Sequence, residues 1–580
     1  MMTIHPKPGG GVSAVAMALL LADARAAPPV KILPVGDSIT AGALGGPNSG
    51  PFGRGGYRYF LERFLEASDG FGNYVVIGNS PFAGGTLVAD AGKWFQNEKP
   101  LKSVAHSGYP GDSIEQIRDR IDDGSIPVAA SDVILLQIGT NNVGYGSPVP
   151  ATPAEISAWR SAYEDLLDAI LAKSAFTKVV MAKIPPVADG SNIGSAAANA
   201  ARIEPFNEEV VGTVHAAYSS AHPGRFFLVD NYSPIDPSNT ADSFATATNG
   251  EDYFTGLGDG VHPYNAGHRK MAVNFWEGYQ RARGKARTAI VTPLDDSDGD
   301  GFGGADVGVL GDGTLRQGRG TDVDDQPYVL AGSQAGARAK FYLKLDLSGL
   351  SKQWDEARFN LIFWGAPAGT PSFGNCCDDQ PVTATVSVYG IADGGDDWTE
   401  DTITWATAPG NDPNGNGVAG TLLGQITVPQ GLQTGEVVSM STPALLDFVN
   451  LSRGSDGLVT LAVVGDDLDP GFRLSFQDSD FRDYAPAFLQ LAANTVPPVP
   501  PDFHILGADF DLQALPHPEV VLNFASSGDQ TYLVSASDDM ESFDEVLASG
   551  IPGAPGASQT SVTVPLPTGR SRLFLRVEVE

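Results

Sequence analysis

Val30-Lys31-Ile32-Leu33-Pro34-Val35-Gly36-Asp37-Ser38-Ile39 opens the first half of the chain with a run of apolar residues that stops abruptly at a polar turn. An apolar run over 30–36 that breaks at Gly-Asp-Ser reads as a buried parallel strand ending in a sharp turn. Four later runs share its character: YVVIG at 74–78, VILLQIG at 133–139, KVVMAKI at 178–184 and RFFLVD at 225–230. Helical patterns lie between them. Tyr57, Phe60, Leu61, Phe64 and Leu65 fall on one helical face, and Thr152-Pro153-Ala154-Glu155 forms a capping box with proline in the first turn. This alternation predicts a three-layer α/β domain, a parallel sheet with helices on both faces. Sites on such sheets gather at the carboxyl ends of strands, where Ser38 and Asn141 stand.

Four short blocks follow one another in fixed order: Gly36-Asp37-Ser38-Ile39, Gly108-Tyr109-Pro110-Gly111, Gly139-Thr140-Asn141-Asn142 and Asp259-Gly260-Val261-His262. Together they hold the parts needed for attack on an ester. The Ser38 hydroxyl needs a base; His262 can take its proton, while Asp259, three residues earlier, orients the ring and stabilises the imidazolium. The candidate oxyanion donors are the backbone N–H groups of Ser38 and Gly111 and the side-chain amide of Asn141. Of the eight histidines, only His262 has an Asp three residues before it and a Pro after it. His106, His215, His222 and His268 are expected to be surface or packing residues, Asp37 to tie its own turn, and no His, Cys and carboxylate cluster has zinc-ligand spacing.

In this order the blocks resemble those of the GDSL/SGNH hydrolase superfamily, whose four named residues match Ser38, Gly111, Asn141 and His262, with Asp259 matching the family's acid. The resemblance spans residues 30 to 285 and implies a flavodoxin-like three-layer SGNH hydrolase domain. Within it, HSGYPGDSIEQI and GDGVHPYNAGHRKMA look most like carbohydrate esterase family three, the acetylxylan esterase type. One departure is Asn142, where the family usually carries Asp; its expected effect is on rigidity more than on activity.

At 580 residues the chain is too long for one core. Its net charge of −33 argues against nucleic acid and anionic membrane surfaces as partners. Lys7, the apolar run Val12 to Leu21 and Ala24-Arg25-Ala26 read as a secretory signal over residues 1–26, so a secreted, periplasmic or cell-surface protein is expected. No other run reaches transmembrane length. The two cysteines, Cys376 and Cys377, are adjacent and form no disulfide framework.

The hydrolase domain is expected over 27–285. Residues 286–304 are rich in Asp and Gly and read either as a solvated linker or as a structural calcium loop, with Asp296, Asp298 and Asp300 at alternating ligand positions. Residue 307, where an EF-hand would place Glu, is Val307. Short alternating segments between turn residues predict an all-β sandwich module over 305–493. Its FYLKLDLSGL strand and the Trp398 to Trp405 segment resemble disaggregatase-related carbohydrate-binding modules; both tryptophans are expected in the core more than on a sugar-stacking face. A proline linker, 494–501, leads to a small β module over 502–580.

The expected function is that of an exported serine esterase removing acetyl or short acyl groups from an acetylated polysaccharide, with no cofactor in the chemistry. Two alternatives stand beside it: a lipase, lysophospholipase or arylesterase of the same superfamily, and a glycan-binding surface protein with a weak hydrolase domain. The β modules are expected to act as tethers, so that removing 286–580 spares activity on a soluble ester.

Overall fold

In the computed structural model of the chain, the described residues are 28–42, 55–69, 73–80, 104–144, 149–189, 194–241, 253–254, 260–293, 306–310, 328–331, 339–350, 353–365, 383–391, 398, 403, 407–412, 417–432, 435–451, 457–466, 474–477, 487–494, 505–511, 519–525, 531–537, 545–552, 559–565 and 574–579. The expected signal sequence, the aspartates Asp296, Asp298 and Asp300, both cysteines and Trp405 lie outside them. So does Asp259.

The first layer system is a parallel sheet of β1 (Val30–Gly36), β2 (Tyr74–Val76), β4 (Val133–Gln137), β5 (Lys178–Lys183) and β6 (Phe226–Asp230) in the order β2-β1-β4-β5-β6, with the short β3 (Ser107–Gly108) beside the end of β1. Period-two alternation sends Leu33 and Val35 to one face and Ile32 to the other. The first face packs on the Ile114–Asp122 and Pro153–Lys173 helices, the second on the Tyr57–Asp69 and Asn265–Ala282 helices. Capping boxes at Ser113 and Thr152 start the first two of these helices. This is the expected SGNH-like α/β domain. Among the described residues no helix is long and apolar enough to cross a membrane.

The next part is a sandwich of two antiparallel sheets, ordered β10-β12-β17-β14-β15 and β11-β18-β13-β19-β9. In the first, β10 is Asp306–Leu310, β12 Ala339–Asp346, β17 Leu458–Asp466, β14 Ala384–Ile391 and β15 Thr421–Val428. In the second, β11 is Tyr328–Ala331, β18 Leu474–Gln477, β13 Glu356–Gly365, β19 Phe488–Ala493 and β9 Arg287–Val291. A further strand, β16 (Val437–Met440), pairs with β13. Trp398 is buried beneath the first sheet. Its indole N–H donates to Thr460 Oγ1 at 2.9 Å, its ring meets Tyr342 edge-on, and the Lys344 ammonium lies 4.8 Å over it. It is a packing residue, not a sugar platform.

Residues 287–291 are no linker: β9 starts five residues after the helix ending at Ala282 and pairs along its length with β19, Leu489 against Val291 and Ala493 against Arg287. Nor is the sandwich a compact unit of its own: residues up to Ala493 form a single one. The second sheet is covered on both faces. Phe359, Leu361 and Phe363 of β13 and Leu489 and Leu491 of β19 enter the sandwich core. The alternate residues Ile362 and Phe488 join the hydrolase core, with Ile290 and Val437 packed against it. At that seam the Phe64 and Phe488 rings meet edge-on at 5.0 Å, and the Gln490 amide donates to the Phe64 carbonyl at 2.9 Å. The Tyr57–Asp69 helix is therefore buried on both sides, which is why its polar face, including Arg58, Glu62 and Arg63, is as buried as its apolar one.

Residues from Asn494 onward form a second unit with two three-stranded antiparallel sheets, ordered β20-β21-β24 and β23-β22-β25. These strands are Ile505–Asp511, Glu519–Ala525, Thr531–Ser537, Glu545–Pro552, Gln559–Pro565 and Phe574–Val579, β20 to β25 in chain order.

Candidate active site

The site lies at the carboxyl end of β1. Gly36 has to be glycine, because a Cβ there would stand 2.0 Å from the Gln137 carbonyl oxygen on the neighbouring strand. Asp37 then caps a one-turn helix, Ser38–Ala41, accepting the Ile39 N–H at 3.0 Å. That turn lifts Ser38 out of the sheet edge and leaves it half-buried. Its Oγ lies 2.8 Å from Nε2 of His262, 224 residues away in sequence.

Register brings the second block alongside the first. Val35 pairs with Ser107 and Gly36 with Gly108, and the Tyr109 N–H donates to the Gly36 carbonyl at 2.8 Å. The chain then turns through Gly111, whose positive φ of 83° and open surroundings leave it exposed beside the Ile114–Asp122 helix. Arg120 fixes this turn, donating to Asp112 at 2.5 Å and lying 4.0 Å over the Tyr109 ring.

The third block is tied to the second through both asparagines. Asn141 Nδ2 donates to the Asp112 carbonyl at 2.9 Å, which uses one of its two amide hydrogens. Asn142 Oδ1 accepts the Ile114 N–H at 2.9 Å, and its Nδ2 donates to Glu115 at 3.0 Å. The position where the family usually carries Asp thus keeps the acceptor that the helix start needs.

His262 reaches Ser38 from a loop anchored on both sides. The Ala188 N–H donates to the Gly260 carbonyl at 2.9 Å, and Tyr253 donates to the Pro186 carbonyl while its backbone bridges Pro263. Val261 is buried in the core. Ser38, Gly111, Asn141 and His262 are therefore brought together by direct contacts or by one intervening turn, whereas Asp259 lies outside the described residues. His106 and His268 are fully buried, as packing residues would be; the His106 Nδ1 accepts the Gly108 N–H at 3.0 Å, and burial holds its pKa down at about 2.

Asp37 does more than tie its turn. It is completely buried, and burial pushes its carboxyl up to about 6, opposed by the Ile39 N–H and the charge of the His262 ring. A pKa raised on folding means that the native state keeps a proton that the unfolded chain has released. The stability this brings is present at low pH and is lost as pH rises from about 4 to about 6; beyond that, the buried charge costs about 3 kcal/mol. Asp37→Asn keeps an oxygen for the Ile39 N–H without that charge. Its melting temperature relative to the parent protein should accordingly climb between about pH 4 and about pH 6 and level off above that. A difference that stays flat over this range would contradict the buried-charge account.

Residues 35–270 match the GDSL-like Lipase/Acylhydrolase family model. A multidomain esterase of Ruminococcus flavefaciens is 29% identical over 293 residues, which cover 47% of this chain and 32% of that protein. The chain thus spans about a third of this curated relative's length. Among solved structures, a family 3 carbohydrate esterase of Clostridium thermocellum is 21% identical and aligns over 44% of this chain and 98% of its own, with a TM-score of 0.29. One from Talaromyces cellulolyticus is 17% identical over the same shares, with a TM-score of 0.28.

Proposed function

We propose that the chain is a serine esterase that removes acetyl or other short acyl groups from a polysaccharide through an acyl-enzyme on Ser38. The observation that carries this reading is the 2.8 Å contact between Ser38 Oγ and His262 Nε2, a nucleophile and a base within proton-transfer reach. As Oγ attacks the ester carbonyl carbon, Nε2 takes its proton. The oxyanion is met by the N–H groups of Ser38 and Gly111 and by the remaining amide hydrogen of Asn141. The imidazolium then gives its proton to the departing sugar oxygen, the C–O bond breaks, and the acyl group stays on Ser38. Water, deprotonated in turn by His262, releases the acid and restores the serine. In this reading Asp259 orients the ring, and Asp37 adds a buried negative charge behind it when ionised.

Support for a short acyl group on a polysaccharide comes from the sequence around blocks two and four, which resembles carbohydrate esterase family three, and from the multidomain esterase relative. Export fits such a substrate and rests on the N-terminal sequence. A structural calcium at Asp296, Asp298 and Asp300 is a proposal on the same footing, apart from the chemistry.

The test is a series of aryl esters from acetyl to octanoyl, run beside acetate release from acetylated xylan. Acetyl esters should turn over faster than octanoyl esters, and acetate should appear from the polymer. The reverse ranking, with no acetate released, would favour a lipid ester and sink the polysaccharide reading.

A further inference from the structure

The family blocks leave unexplained how a one-turn helix holds a nucleophile still. Ser38–Ala41 has only four residues, and the carbonyls of so short a helix have few partners of their own. Two of them are taken by a single side chain from outside the blocks. Arg58 Nε donates to the Thr40 carbonyl at 3.1 Å, and its Nη2 donates to the Ala41 carbonyl at 3.2 Å. The third arm, Nη1, donates to the Val104 carbonyl at 3.2 Å. Val104 enters the segment that runs through His106 and β3 into the Gly111 turn.

We propose that Arg58 is the positioning residue of this site, its planar guanidinium locking the nucleophile helix to the strand that carries the oxyanion turn. This rests on the esterase reading of Ser38. The side chain is buried, and every hydrogen bond it makes to a described residue ends on a backbone carbonyl, not a carboxylate. Burying a guanidinium is costly, and burial does pull its pKa down, to about 10. A cation at the carboxyl end of a helix recovers part of that cost through the carbonyl dipoles. Lysine could not reproduce the arrangement, because three diverging donors in one plane are a property of the guanidinium.

The backbone is shaped to admit it. The nucleophile helix ends at Gly42, with φ of 91°, where it crosses the start of the Tyr57–Asp69 helix so closely that a Cβ would stand 2.8 Å from the Gly55 carbonyl carbon. A Cβ on Gly56 would likewise stand 2.8 Å from Gly42 Cα. That crossing sets Arg58, in the first turn of the longer helix, beneath the carbonyls it bonds.

The test compares the full-length protein with Arg58→Lys and Arg58→Ala. Three quantities are read: the melting temperature, the rate at which a fluorophosphonate labels Ser38, and kcat and KM on an aryl acetate. A shift of the nucleophile by a fraction of an ångström should lower both labelling and kcat at least ~10-fold in Arg58→Ala with little change in KM. Arg58→Lys should fall between. Added guanidinium ion, well below denaturing concentration, should restore part of the rate to Arg58→Ala and leave the Lys variant unmoved. If Arg58→Ala is too unstable to assay, the Lys variant carries the comparison. A folded variant that labels as fast as the parent protein would overturn the proposal alone, even if its melting temperature has dropped. A parent protein inert to the probe would overturn the esterase reading as well.

Discussion

A chain cut after Lys285 is expected to lose the proposed esterase activity on a soluble aryl acetate. The five proposed catalytic positions all survive that cut, so the loss would come from folding. Residues 286–493 supply β9, β13, β16 and β19, whose outer-face residues Ile290, Ile362, Val437 and Phe488 cover the Tyr57–Asp69 and Asn265–Ala282 helices. Without them Phe64 faces water and the Phe64 carbonyl loses the Gln490 amide. Each large apolar side chain taken out of its core costs about 1.5–3 kcal/mol. Several together reach the ~5–15 kcal/mol that typically holds a whole domain folded. A cut after Ala493, where the first compact unit ends, should by contrast leave soluble activity near that of the full chain. The measurement is aryl acetate turnover per mole of soluble, monodisperse protein for both truncations. Full activity in the shorter chain would mean that the sheet is only a passenger on the helices.

Ser38→Ala should abolish turnover, by at least ~10⁴-fold, because it removes the hydroxyl that lies 2.8 Å from His262 Nε2. The fold should survive. Ser38 is half-buried, its Oγ touches the histidine across the cleft, and Ala remains a good helix former in the turn that Asp37 caps. An unchanged melting curve together with lost activity and lost phosphonate labelling is the expected result. Retained turnover at any substantial fraction of the parent rate would remove Ser38 from the mechanism.

The α/β domain and most of its site are legible in the one-dimensional chain for a physical reason. Buried parallel strands must be short apolar runs, and the turns after them demand glycine where another strand crowds the backbone, as at Gly36. Serine, asparagine and histidine stand in the order that the strands deliver them to one sheet edge. Other contacts had no such local signature. Asn142 departs from the family's residue, yet its amide oxygen serves the helix start as a carboxylate would. Arg58 belongs to none of the four blocks, and nothing local to its position announces the three carbonyls it bonds.

The alternation of strand and helix, the parallel sheet and the set of residues placed at its edge are thus written in the order of residues along the chain. Each depends on local periodicity or on the space a single Cβ would need. What covers the far side of the Tyr57–Asp69 helix is set by the folded chain alone. The run Ala487-Phe488-Leu489-Gln490-Leu491-Ala492-Ala493 is buried at every position and says that both faces of its strand are covered, but an apolar face carries no address for its partner. That partner is chosen by packing between residues more than four hundred positions apart, as at Phe64 and Gln490. The same long-range packing turns an apparent linker at 287–291 into an edge strand.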